Sequence, residues 1–202
     1  MNLRRVGSAY GGWHVDLDLI PVGSTVISAG AGEDLSFDKE LITSKNCVII
    51  GIDPTLKAIK YVREQQLKGY TLLEKALWSD DKKVKLFLNG NPDHVSESIL
   101  SDHHSTTEDY HVCESVTIPQ LVKTYSNISL LKMDIEGAEY DVLDSLTELN
   151  IPQVCIEFHH FCSNKTEEDT MQAISKMKIL GYKVIFVTAQ GKEITFVKDS
   201  TL

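Results

Sequence analysis

The sequence predicts an α/β fold: a doubly wound, mostly parallel sheet with helices on both faces and a terminal antiparallel hairpin. Three observations predict it. Continuous apolar, β-branched runs recur along the chain, as in strands covered on both faces. Helix-period stretches separate those runs, which is the β-α-β alternation of parallel sheets. The chain finishes with two strand-like runs around a polar turn.

The elements follow in order. Residues 1–22 are an N-terminal extension without a strong pattern. Thr25–Ala29 (TVISA) reads as the first buried strand, and it runs into Gly30-Ala31-Gly32. Val48–Ile52 (VIIGI) is the second strand. A helix is expected over Pro54–Gln66, with Pro54 at its first position and Leu56, Ile59, Val62 and Leu67 at helical spacing. Thr71–Trp78 is the third strand, and Lys82–Leu88 adds a further candidate. Residues 89–114 are polar, hold four of the seven histidines, and read as a long substrate loop. Ile128–Met133 is the fourth strand and Val154–Phe158 the fifth. After the fourth, Ile135, Val142, Leu143, Leu146 and Leu149 set a helical period, which places Glu136 and Glu139 in a first helical turn. Thr166-Glu167-Glu168-Asp169 resembles a capping box, and Gly181 ends the helix it opens. Tyr182–Thr188 and Glu193–Lys198 form the hairpin.

With 202 residues the chain is long enough for one sizeable core, and we expect a single domain. The net charge of −9, without a basic block, disfavours nucleic acid and anionic membranes as partners. No apolar run reaches the length of a membrane span, and the N-terminus, MNLRR, lacks the apolar core of a secretory signal. Cys47, Cys113, Cys155 and Cys162 form no CxxC pair and fit free thiols in a reducing compartment. A cytoplasmic protein is expected.

The chemistry concentrates where strands end. In open α/β sheets ligands bind beyond the carboxyl ends of the strands. Asp134 stands at such an end, followed by Glu136 and Glu139. Helix polarity alone accounts for Glu139, whereas three acids on one turn repel each other and point to function for Asp134 and Glu136. The Gly30-Ala31-Gly32 turn lets a ligand approach the backbone, with Ser28 and Ala29 leading into it. Glu33 and Asp34 make that loop acidic, and Leu35 stands where a dinucleotide fingerprint has glycine or alanine. An acidic glycine loop suits a cationic ligand such as S-adenosylmethionine and not a pyrophosphate. Asp53, at the end of the second strand and followed by Pro54, sits where an acid receives ribose hydroxyls; helix N-capping is the blander role. Ala76 and Leu77 close the third strand and can line an adenine. His159 follows the fifth strand beside the same edge and can take a proton near neutral pH, with His160 turned the other way and Glu157 placed to orient it. His103, His104 and His111 have no diagnostic metal spacing. Asp134 and Glu136 are hard oxygen ligands, so a divalent metal is an expectation without a defined ligand set.

The stretch Leu131-Lys132-Met133-Asp134-Ile135-Glu136-Gly137-Ala138-Glu139, the glycine loop, Asp53 and Ile156-Glu157-Phe158-His159 together resemble the FkbM family of S-adenosylmethionine-dependent methyltransferases. The resemblance runs from about Gly23 to Val197. It implies a seven-stranded Rossmann-like methyltransferase sheet with an antiparallel last strand, and methyl transfer to an oxygen, often on a sugar or other small hydroxylated molecule. Ser96 and Ser98 match a serine-bearing segment of relatives. On this reading Ser28 to Gly32, Asp53, Pro54, Ala76, Leu77 and Asp134 hold the cofactor, and His159, Asp134 and Glu136 are the candidate catalytic residues. A nucleotide-cofactor oxidoreductase is the alternative enzyme; a binding protein that keeps the cofactor fold without turnover is the alternative class.

Overall fold

A computed structural model describes residues 1–91, 93–162 and 164–199. A seven-stranded sheet forms its centre. In chain order its strands are β3 (Thr25–Ala29), β4 (Val48–Ile52), β5 (Tyr70–Leu73), β9 (Ile128–Met133), β10 (Gln153–Glu157), β11 (Tyr182–Val187) and β12 (Glu193–Lys198). Their spatial order is β11-β12-β10-β9-β3-β4-β5, and β12 alone runs opposite to the other six. From β3 the chain winds outward to β4 and β5, then returns to lay β9 and β10 on the other side of β3. The sheet order therefore reverses between β3 and β9, and the crevice at such a reversal is where an open α/β sheet takes its ligand.

Both faces are covered. On one, Ile27, Leu131, Met133, Ile156 and Phe158 meet Val142 and Leu143 of α4 (Glu139–Ser145) and Met177 of α5 (Glu167–Ile179). On the other, Val26, Ile49 and Leu130 meet Phe37 and Leu41 of α1 (Ser36–Lys45). Val6, Trp13 and Val15 complete that second core. They come from the N-terminal extension, which folds as an antiparallel pair, β1 (Leu3–Val6) and β2 (Trp13–Asp16). The extension is locked on by the Asp16 N–H, which donates to Gln153 Oε1 at 2.7 Å, and by Thr195 Oγ1, which donates to the His14 carbonyl at 2.6 Å.

Four expectations are corrected. Thr71–Trp78 is two elements, β5 and β6 (Ala76–Leu77), because the chain leaves the main sheet after Leu73; β6 joins a second, three-stranded sheet of order β6-β8-β7. In that sheet β7 (Lys83–Asn89) pairs antiparallel with β8 (Thr106–Val116), so the polar stretch is strand and not loop from Thr106 onward. Most of β8 faces water on both sides, which is why its residues are polar. Pro54 precedes the helix: Thr55 is the N-cap of α2 (Leu56–Gln65). Glu136 lies outside the helix, at φ +53° in a tight turn, and α4 begins at Glu139. The capping box at Thr166 and Asp169, the αL turn at Gly181 and the terminal hairpin are as expected.

Candidate active site

The glycine loop and Asp134 meet at the sheet reversal. Register pairs Ala29 with Met133, so the next residues, Gly30 and Asp134, leave the sheet side by side. The Asp134 N–H donates to the Ala29 carbonyl at 3.2 Å. Gly30 has φ +81°, and a Cβ there would lie 1.8 Å from the Asp134 carbonyl oxygen. No other residue fits. Lys132 reaches across to donate its ammonium to the Gly30 carbonyl and stands 3.6 Å from Asp134 Oδ2.

Asp53 shapes the same loop. Its Oδ2 accepts the N–H groups of Ala31 at 2.9 Å and Gly32 at 3.0 Å, and its Oδ1 accepts that of Thr55 at 2.8 Å. Burial raises its pKa, and those three N–H groups pull it back. The Thr55 hydroxyl bonds it as well, so the roughly four acceptor positions of the carboxylate are all used internally. Asp34 ties the loop to the N-terminal extension: Ser8 Oγ donates to its Oδ2 at 2.6 Å and the Ser36 N–H to its Oδ1 at 2.7 Å.

A cleft of about 850 Å³, counting its open mouth, lies over this junction. The structure brings to its wall Gly30, Ala31, Gly32 and Asp53, then Pro54, Ala76 and Leu77, and finally Asp134 and Glu136. Ser28 and Ala29 are buried in β3 behind that wall and do not line it. The walls are acidic: Glu33, Asp34, Asp53, Glu97, Asp134 and Glu136 face one cation, Lys132. Glu97 was not foreseen. Burial, with the charge of Asp53 adding, pushes its pKa up to about 7, and its Oε2 has no hydrogen-bond partner among the described residues.

A second cavity adjoins the first and shares Tyr10, Gly11, Ser96, Asp134 and Glu136 with it. Glu157, His159, His103 and Glu193 furnish its polar wall, and Trp13 and Phe161 its aromatic one. His159 is buried, with Nε2 3.7 Å from Asp134 Oδ1 and 3.5 Å from Glu136 Oε2. Its Nδ1 lies 2.9 Å from Oε1 of Glu139. Burial alone would lower the imidazole pKa, but Glu139, Glu136 and Asp134 outweigh it and raise it to about 10. Glu139 therefore orients His159; Glu157 does not. The same Glu139 Oε1 accepts the Ile135 N–H at 2.9 Å, so one fully buried carboxylate fixes both the turn and the ring. Burial, with the charge of Asp134 adding and that of His159 opposing, pushes Glu157 up to about 7. His160 turns away, as alternation predicts, and bonds Thr170 Oγ1 at 3.1 Å. His103 comes from the loop after β7 and stands 3.4 Å from Glu136 Oε2.

No curated protein matches the sequence. Several solved structures share the fold, among them these two. One is a fibrillarin/Nop5p complex, whose matching chain is 12% identical with a TM-score of 0.51; the match covers 87% of this chain and 72% of that one. The other is precorrin-6y C5,15-methyltransferase from Geobacter metallireducens, 12% identical with a TM-score of 0.50, over 91% of this chain and 85% of that one. The family described as the methyltransferase FkbM domain matches residues 26–184, from within β3 into β11. That span contains the glycine loop, Asp53, Asp134 and His159 together with the parallel strands β3, β4, β5, β9 and β10 that position them, and the chain belongs to the FkbM methyltransferase family.

Proposed function

We propose that the protein is an S-adenosylmethionine-dependent O-methyltransferase acting on a small hydroxylated molecule or sugar in the cytoplasm. One observation carries the reading: two cavities, one walled by the glycine loop and one by histidine, carboxylates and aromatic rings, meet at Asp134. The acid excess of the first cavity fits a cationic methyl donor and opposes the pyrophosphate of a nicotinamide cofactor. Leu35, fully buried beneath the loop, likewise speaks against the oxidoreductase alternative. Acid walls in the second cavity oppose a polyanionic acceptor such as nucleic acid. Among the described residues no helix is long and apolar enough to cross a membrane, and all four cysteines are free thiols.

S-adenosylmethionine supplies an electrophilic methyl group on a sulfonium. The chain supplies position and charge. Asp53, whose Thr55 hydroxyl bond can be exchanged for a ligand's, and Glu97 opposite it receive the ribose hydroxyls. Asp134 stands at the shared wall, where its charge favours a sulfonium and its carboxylate can accept the acceptor's hydroxyl proton. His159, ringed by carboxylates, keeps its own proton at neutral pH in the free protein, where its charge balances Asp134 and Glu136. Rate then comes chiefly from fixing the attacking oxygen in line.

Calorimetry tests this. S-adenosylmethionine and its demethylated product should bind and NAD should not. Asp53→Asn should weaken donor binding by about 1–3 kcal/mol, or roughly 5- to 150-fold. Binding of NAD alone, or unchanged donor affinity in a folded D53N chain, would overturn the assignment. A screen of hydroxylated acceptors with methyl-labelled donor identifies the substrate.

A further inference from the structure

The second cavity carries more than methyl transfer by orientation uses. One oxygen each from Asp134 and Glu157 and one nitrogen of His159 lie within 4.8 Å of one another. Around an octahedral cation with bonds of about 2.1 Å, ligand atoms stand roughly 3–4 Å apart, so small side-chain rotations close this set. The imidazole is braced as metal-bound imidazoles are: its far nitrogen, Nδ1, meets a carboxylate, Glu139, whose side chain is 0% exposed. The near nitrogen, Nε2, faces carboxylates at 3.5 and 3.7 Å, longer than a well-formed hydrogen bond.

A second observation points to a ligand independently. His103, with a side chain 2% exposed, lines the same cavity, and among the described residues its Nε2 has no well-formed hydrogen bond, its nearest carboxylate oxygen, Glu136 Oε2, standing 3.4 Å away. A buried ring nitrogen left unpaired costs free energy unless something occupies the space before it. Charge agrees. Asp134, Glu136, Glu157 and Glu193 line the cavity with Glu139 behind them, whereas Lys132 is committed to the Gly30 carbonyl.

We propose that Asp134, Glu157 and His159 hold a divalent cation of the Mn²⁺ type at the acceptor end of the site, with Glu136 and His103 as its outer partners. Two carboxylate oxygens and one imidazole nitrogen favour Mn²⁺, which accepts both donor types, over Ca²⁺ with its all-oxygen shell. The cation takes the place that the Nε2 proton holds in the metal-free protein, and that proton is released to solvent. Its remaining positions are open to an acceptor hydroxyl, whose proton it would make easier to remove. For its purpose this inference rests on the methyltransferase reading; its test does not.

The experiment is Mn²⁺ binding to the full chain without donor or acceptor, followed by loss of the free-ion paramagnetic resonance signal and by calorimetry. One saturable site is expected. Glu157→Gln, at the cavity wall, should keep the circular dichroism and melting temperature and weaken Mn²⁺ binding at least tenfold. Glu193→Gln, in the same cavity but outside the three ligands, should change it less than threefold. Absence of saturable binding to the folded protein, or equal loss in both variants, would overturn the site. Donor titrations in the same buffers separate the two readings: donor binding without Mn²⁺ binding removes the cation and leaves the methyltransferase, and Mn²⁺ binding without donor binding does the reverse.

Discussion

His159 and Glu139 form a hidden pair: ring Nδ1 and carboxylate Oε1 stand 2.9 Å apart, and neither side chain is more than 4% exposed. The pair joins the end of β10 to the first turn of α4, so the geometry of the second cavity is set inside the core and not at its surface.

Removing one partner of a buried charged pair strands the other. Glu139→Ala should cost about 3–5 kcal/mol of stability, read as a lower urea midpoint with an unchanged slope. Glu139→Gln, which keeps the acceptor for the Ile135 N–H, should cost less. Glu157→Gln, at the cavity wall, should cost under about 1 kcal/mol. If Glu139→Ala costs no more than Glu157→Gln, Glu139 does not brace the ring.

The two glycines of the loop should differ sharply. At Gly30 a methyl group would overlap the Asp134 backbone, whereas at Gly32 the nearest atom is a Val95 methyl at 3.8 Å. Gly32→Ala should cost only the left-handed backbone penalty, about 1–2 kcal/mol. Gly30→Ala must part β3 from β9 at their ends, so it should cost more than that and lower donor affinity at least tenfold. Thermal melts and donor titrations of both variants check this; equal behaviour would mean the loop and Asp134 are not in contact.

Stability should depend on pH through Asp38. This residue of α1 is 3% exposed, its Oδ1 has no hydrogen-bond partner among the described residues, and burial pushes its pKa up to about 6 against the pull of Lys132 and the Ser28 hydroxyl. The folded value lies above the unfolded value of 3.8. The contribution is therefore fully present below pH 3.8 and lost as pH rises through 6. Asp38→Asn removes the titration, so the variant should gain about 2–3 kcal/mol on the native protein between pH 4 and pH 7. Parallel denaturation curves at the two pH values decide it; a constant difference would mean Asp38 ionises freely.

Much of this architecture was legible because apolar runs in a doubly covered sheet have no other place to go. Ile128–Met133 reads as a strand and is one, and the Thr166 box opens its helix as its side chains require. The errors have a common cause, which is that solvent hides structure from hydrophobic pattern. In β8, Thr107 to Tyr110 are exposed, so a strand reads as a loop. The run from Thr71 to Trp78 reads as one strand because nothing local records that Leu73 and Ala76 belong to different sheets. At the site, residues at strand ends were legible: Gly30, Asp53, Asp134 and His159 all meet where topology sends them. Residues that arrive from elsewhere were not. Glu97 and His103 come from within a polar stretch whose burial only tertiary packing creates. Glu139 was credited to helix polarity, because its neighbour across the core, His159, is 20 residues away.

Glu136 holds a left-handed backbone, φ +53°, which costs a side chain with a Cβ about 1–2 kcal/mol and costs glycine nothing. Its carbonyl is gripped by Ser98 Oγ at 2.6 Å, and its carboxylate stands between His103 and His159. Evolutionary pressure toward heat resistance alone would trade this glutamate for glycine and meet no resistance from the backbone. A line of descent that keeps an acid there is held by something other than the fold, and one that drifts to glycine gains durability by giving that up.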